Sequence, residues 1–435
     1  MPRHLSLFSL SHATASGLSP DSAILMTFRV LLLTALLLVH GESRADPLTE
    51  KAGFTSKLIV YLAKGPANSC GTGCDHWIAI EGKVDQDAAL RVGRFLRNVK
   101  DTQLPIYFHS PGGMVEQAFV IGRLLRNRKA IARVGRTMVA ACGSGSQVDD
   151  ACVKIKTAGG EVEAEIATSH AMCNSACGYL FLGATTREVA PDATVAVHNS
   201  KFTLVYHGHP SAEQIATATD RGIAKADRER AAYIAAMGIS HELDDLIRTV
   251  KFENPHALTR SELYRFGIDT RSMAETAWTL QTAARPYIQK IALAKKPDDA
   301  SFRTMEWRLF CENKDRGRLM FIREFDKGAA GASAVIMTAG SEKLVSFGTF
   351  PARMGPFEAW SGTIASAVIN TLLAVPRLQM AEATLLPGGK TNQEIFDIDT
   401  SGLEPAWAKL VASCAAPNGV KPVIASPSPT SAPAQ

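Results

Sequence analysis

The chain has 435 residues, 46% of them hydrophobic, and a formal net charge of +5. That length exceeds what one hydrophobic core ordinarily fills, so two folded units are expected. The basic excess is spread along the chain and no basic run is interleaved with aromatics, so no nucleic-acid partner is expected.

The first 25 residues show no period. Met26 then opens MTFRVLLLTALLLVHGESRA, with one basic residue, a short apolar run and a Ser43-Arg44-Ala45 ending. This is the order of a secretory signal peptide starting at Met26 and cut after Ala45, which makes residues 1–45 a leader. The apolar run is shorter than the roughly 20 residues that span a bilayer. The expected location is therefore periplasmic or secreted, and only an uncleaved leader would hold the protein near a membrane.

All eight cysteines follow the leader, and an even count in an exported chain points to disulfides. They fall into Cys70 and Cys74, Cys142 and Cys152, Cys173 and Cys177, with Cys311 and Cys414 far apart. The connectivity is open at this level. A rival zinc reading takes Cys70, Cys74 and His76 as ligands but lacks a fourth, so no metal or cofactor is expected.

From Lys57 the pattern alternates strand and helix. KLIVYLA and WIAIEG read as strands, and VDQDAALRVGRFLRNV as an amphipathic helix with Ala88, Leu90, Val92 and Leu96 inward. PIYFHS is the next strand and MVEQAFVIGRLLRNR the next helix, which predicts a mostly parallel sheet. Between Arg136 and Thr168, VKIKTAGGEVEAEIAT alternates on both sides of Gly159-Gly160 and reads as an inserted β-hairpin at the rim of a site, with Cys142 and Cys152 tying the loop before it. After His198 the chain turns helical as far as Gly267. Residues 281–303 read as a linker and 304–416 as a β-rich unit of short runs such as WRLFCENK and KLVSFGTF, which Cys311 and Cys414 would staple. The Pro- and Ser-rich tail, 417–435, is expected to be disordered.

Three features carry chemistry. Ser110-Pro111-Gly112-Gly113 follows a β-run, where glycines let the backbone approach a substrate. Ser175 heads the apolar stretch ACGYLFLGA, and His198 ends the strand TVAVH. Each has an ordinary reading: a strand-ending turn, a helix N-cap and a polar strand end. Together they are a nucleophile, a base and backbone donors, the parts of acyl-transfer catalysis. His170, His207 and His209 read as loop residues.

These segments resemble the proteolytic subunit of the Clp protease and its crotonase-like superfamily. The likeness rests on IEGKVDQDAALRVGRFLRNV, PIYFHSPGGMVEQAFVIGRLLR, SACGYLFLGATTREVAPDATVAVH and LTRSELYRFGID, from residue 77 to about 270. It implies an α/β fold of repeated β-β-α units over 46–280, followed by the smaller α+β unit. It further implies Ser175 as nucleophile, His198 as general base, the N–H groups of Gly113 and Ala176 as oxyanion donors, a peptide or protein substrate, and a homo-oligomer. The triad aspartate has no counterpart, because the chain reads Lys251-Phe252-Glu253-Asn254 there. Glu253 is the expected substitute. The reading is an exported periplasmic serine hydrolase, a peptidase acting through an acyl-enzyme on Ser175, and a catalytically weak or inactive crotonase-like binding or scaffold protein of the cell envelope stands as the alternative.

Overall fold

The computed structural model describes residues 54–143, 146–201, 208–296, 301–313, 315–325, 333–347, 351–385 and 391–414. The segments read as leader and tail, and His207, lie outside them. Among the described residues no helix is long and apolar enough to cross a membrane.

The first part of the chain runs β1 (Ile59–Lys64), β2 (His76–Glu81), α1 (Ala88–Asn98), β3 (Ile106–His109), α2 (Val115–Arg128), β4 (Ile131–Val134), β5 (Arg136–Val139), α3 (Asp150–Thr157), β6 (Glu161–Ala167), α4 (Ala176–Gly183) and β7 (Thr186–Glu188). The sheet order is β5-β6-β1-β2-β3-β4-β7. Neighbours from β2 to β7 are parallel, as is β6 to β1, while β1–β2 and β5–β6 are antiparallel. The class is α/β, as the alternation of strand and helix implies.

Both faces of this sheet are covered, which explains why β2 reads as a nearly continuous apolar run. Ile78, Ile80, Ile106 and Phe108 enter the larger core with the helices, and Trp77, Ala79 and Tyr107 enter a smaller one on the other face. Helix α1 buries Ala88, Val92 and Leu96, spaced four apart, and leaves Leu90 59% exposed, so Leu90 does not belong to its inner stripe. All eight residues of α4 are buried, as befits a helix apolar on every side.

The expected hairpin is corrected. Its first arm is the helix α3, and its second arm, β6, is an integral strand between β5 and β1. Two interactions, one local and one distant in the chain, override the alternation of VKIKT. Asp149 caps the helix by accepting the Cys152 N–H at 2.7 Å, and Cys152 and Lys156, four apart, are its buried residues. Lys156 Nζ meets Glu81 Oε2 at 2.8 Å, with Tyr61 O–H donating to the same oxygen and Thr137 N–H to Oε1. Gly159 and Gly160, at φ 92° and 83°, make the exit turn.

Beyond β7 come β8 (Ala196–Val197), α5 (Ala212–Ala236), α6 (Glu242–Thr249), β9 (His256–Ala257) and α7 (Arg260–Arg265), with β8 and β9 paired antiparallel. The rest of the chain builds a second core around Trp278, Trp307, Phe321 and Trp360. It contains a four-stranded sheet and a larger antiparallel sheet whose strands include Tyr287–Lys295, Phe302–Asn313, Arg316–Glu324 and Phe357–Ala365. Tyr287–Lys295 falls inside the segment read as a linker. Its alternate residues Ile288, Lys290, Ala292 and Ala294 are buried, and one of the four is a lysine, which masks the period in the sequence.

The disulfides are Cys70–Cys74, Cys142–Cys152, Cys173–Cys177 and Cys311–Cys414, so the partial zinc set is closed as a disulfide. The last joins the strand Phe302–Asn313 to the chain just past the helix Leu403–Ala412.

Candidate active site

Strand β3 delivers Ser110 to the base of the site, and Gly112 and Gly113 follow at φ 97° and 145°. The turn is held at several points. Ser110 Oγ accepts the Gly112 N–H at 3.1 Å, the Gly112 carbonyl accepts from Val84, and Val84 in turn accepts from Met114. Neither glycine can be replaced without displacing backbone. A Cβ on Gly113 would lie 2.2 Å from Val84 O, and one on Gly112 would lie 2.7 Å from Ser175 Cβ and 2.9 Å from Ala176 N. The turn is thus seated directly on the start of α4.

Ser175 precedes α4 with φ 55° and ψ −124°, a backbone region that costs a residue with a Cβ on the order of 1–3 kcal/mol. Its hydroxyl makes no cap hydrogen bond to the helix, which removes the ordinary explanation for a serine at this position. The backbone is pinned on both sides, by Ser175 N–H to Ala196 O at 2.8 Å and by Gly178 N–H to Ser175 O at 2.9 Å. A serine on a strained turn into a helix is how a hydroxyl is presented for attack. The N–H groups of Gly113 and Ala176 have no hydrogen-bond acceptor among the described residues.

His198 follows β8. It lines one crevice with Ser175, and the other walls are mostly apolar, from Tyr179, Leu182, Val195, Val197, Leu243 and Ile247 among others. The crevice is narrow, with a cavity volume of about 20 Å³. No hydrogen bond joins Ser175 Oγ to the imidazole. His198 Nδ1 lies 2.6 Å from the carbonyl oxygen of Asn199, and Phe252 packs edge-on against the ring with centroids 4.7 Å apart. A carbonyl only accepts, so Nδ1 donates to it, which leaves Nε2 as the nitrogen that can take a proton from the serine.

Glu253 is exposed and makes no hydrogen bond or ion pair among the described residues. The group that meets His198 Nδ1 is the Asn199 carbonyl. Side-chain patterns carry no signal for a backbone acceptor, which is why the sequence directs attention to a carboxylate. Asn174 was also missed: its Oδ1 accepts the Ala196 N–H at 3.1 Å and so ties the serine turn to the histidine strand.

Behind the turn, His109 Nδ1 accepts the Met172 N–H at 3.2 Å and fastens β3 to the segment before the serine. Burial, aided by the nearby charges of Arg136 and Lys156, pulls its pKa down to about 3, so the ring is neutral. A larger cleft of about 950 Å³, with Arg133, Glu188, Arg271, Glu275 and Lys290 on its walls, shares no lining residue with the Ser175 crevice. Among the described residues no cluster of His, Cys, Asp and Glu is arranged to hold a metal ion.

No family model matches the chain, and no curated protein matches it. Among solved structures it is similar to invasion associated protein B from Bartonella henselae, at 12% identity over 33% of this chain and 93% of that one, with a TM-score of 0.24. It is also similar to 1510-N, a membrane-bound stomatin-specific protease, at 12% identity over 43% of this chain and 73% of that one, with a TM-score of 0.25.

Proposed function

We propose that this chain is an exported serine hydrolase of the peptidase type, built on a Clp-protease-like, crotonase-like domain and acting through an acyl-enzyme on Ser175. The observation that carries the reading is the serine itself. It sits at φ 55° with a hydroxyl that caps nothing, against Gly112 and in the same crevice as His198. Disulfides support the exported compartment.

In this reading His198 Nε2 takes the Ser175 proton as Oγ bonds to the substrate carbonyl carbon. The Gly113 and Ala176 N–H groups hold the oxyanion. The carbon–nitrogen bond then breaks, and the imidazolium returns its proton to the departing amine. Water, deprotonated by the same nitrogen, cleaves the ester and releases the acid. The apolar walls of the crevice suit an aliphatic group next to the scissile bond. Reaction with a fluorophosphonate probe tests the reading, since only an activated serine attacks phosphorus at a useful rate. Labelling abolished in Ser175→Ala is the expected result, and an inert wild-type protein would overturn it.

A scaffold role is the second reading, and one observation favours it. His198 leans on a neutral carbonyl, which stabilises an imidazolium less than a carboxylate does.

A further inference from the structure

Cys173 and Cys177 are two residues either side of Ser175, both fully buried, and joined by a disulfide with Cα atoms 5.0 Å apart. Cys173 belongs to the extended segment before the serine. It forms a parallel bridge with Ser110, and its N–H donates to Thr194 O at 2.9 Å. Cys177 lies in the first turn of α4, with its N–H on Asn174 O at 3.0 Å. The sulfur bridge therefore closes a ring of five residues whose middle member is the serine in the left-handed φ region.

That location answers a physical problem. A serine before a helix has a favourable alternative, with negative φ and its Oγ accepting an N–H of the first turn. Relaxation to that cap would draw the hydroxyl onto the helix and lift Ala176 N–H away from Gly113. Holding the extended strand and the first turn at a fixed separation opposes this relaxation. The other three disulfides do not enclose the serine.

We propose that the Cys173–Cys177 disulfide is a positioning element of the site, which keeps Ser175 in its strained, uncapped conformation and so makes its reactivity dependent on an oxidised bridge. The inference rests on the hydrolase reading given above.

The test is the rate of fluorophosphonate inactivation, split into a maximal rate and a half-saturating probe concentration. Cys173→Ala/Cys177→Ala should lower the maximal rate at least tenfold and leave the half-saturating concentration within twofold, because the crevice walls are unchanged. Cys70→Ala/Cys74→Ala removes a ring of the same size outside the crevice and should leave both parameters unchanged. If the first variant does not fold by circular dichroism, Cys173→Val/Cys177→Ala restores the lost volume. An unreactive wild-type protein would sink the hydrolase reading. A reactive wild type with an equally reactive bridge variant would sink the positioning role alone, and so would failure of both variants to fold, which marks the bridge as a folding staple.

Discussion

Gly112 bears directly on Ser175: a methyl group added to the glycine would come within 2.7 Å of the serine Cβ and 2.6 Å of Asn174 O. The contact joins two segments some sixty residues apart and brings two acceptor-free N–H groups to the same end of α4. Gly112→Ala should therefore separate them. The loss of one oxyanion donor costs roughly 100- to 1,000-fold in rate. Probe-labelling kinetics should fall by that order while the protein still melts cooperatively. Unaltered kinetics would show that the turn takes no part.

The group on His198 Nδ1 separates two accounts of the base. With the Asn199 carbonyl as partner, Glu253→Gln should leave the labelling rate within about twofold, whereas His198→Ala should remove nearly all of it, as members of one catalytic unit do. A large loss in Glu253→Gln would restore the carboxylate to the triad. Phe252→Ala should give an intermediate loss, since it removes the ring packed against the imidazole.

Much of this was legible in the sequence because backbone periodicity and turn chemistry are local. The strands β1, β2 and β3, the helices α1 and α2 and the glycine turn all follow from period and from Pro-Gly-Gly. The segment around α3 was not, because a lysine pattern that alternates like a strand is drawn into a helix by Glu81, far away in the chain. Tyr287–Lys295 was missed for a related reason. Its buried Lys290 meets Glu275 and the Thr276 carbonyl, partners that the sequence does not place nearby. Ser175 and His198 were visible as residue types, but the partner of His198 is a peptide oxygen, which no side-chain pattern encodes.

Lys156 and Glu81 form a buried pair, with side chains 1% and 10% exposed. Lys156→Met leaves Glu81 without its cation and should destabilise the protein by about 3–5 kcal/mol, the usual cost of breaking a buried pair from one side. Adding Glu81→Gln should recover part of that loss. Urea melts of the two variants measure it, and equal stability of Lys156→Met and wild type would contradict the account.

His109 gives a pH dependence. Its folded pKa, near 3, lies below the ordinary 6.5, so the unfolded chain binds more protons between those values. Its contribution is fully present above pH 6.5 and is lost as the pH falls toward 3. His109→Asn keeps an acceptor for the Met172 N–H and does not titrate. Between pH 7 and pH 4.5 its melting temperature should fall less than that of the wild type, by roughly 3–8 °C. Parallel curves would mean that His109 is not the titrating group.

The central claim is that Ser175 is an activated nucleophile. Tryptic mass mapping of oxidised protein treated with a fluorophosphonate tests it most directly. One adduct is expected, on Ser175, lost in Ser175→Ala and slowed at least a hundredfold in His198→Ala. An adduct on another residue, or none under conditions that label a known serine hydrolase, would contradict the account.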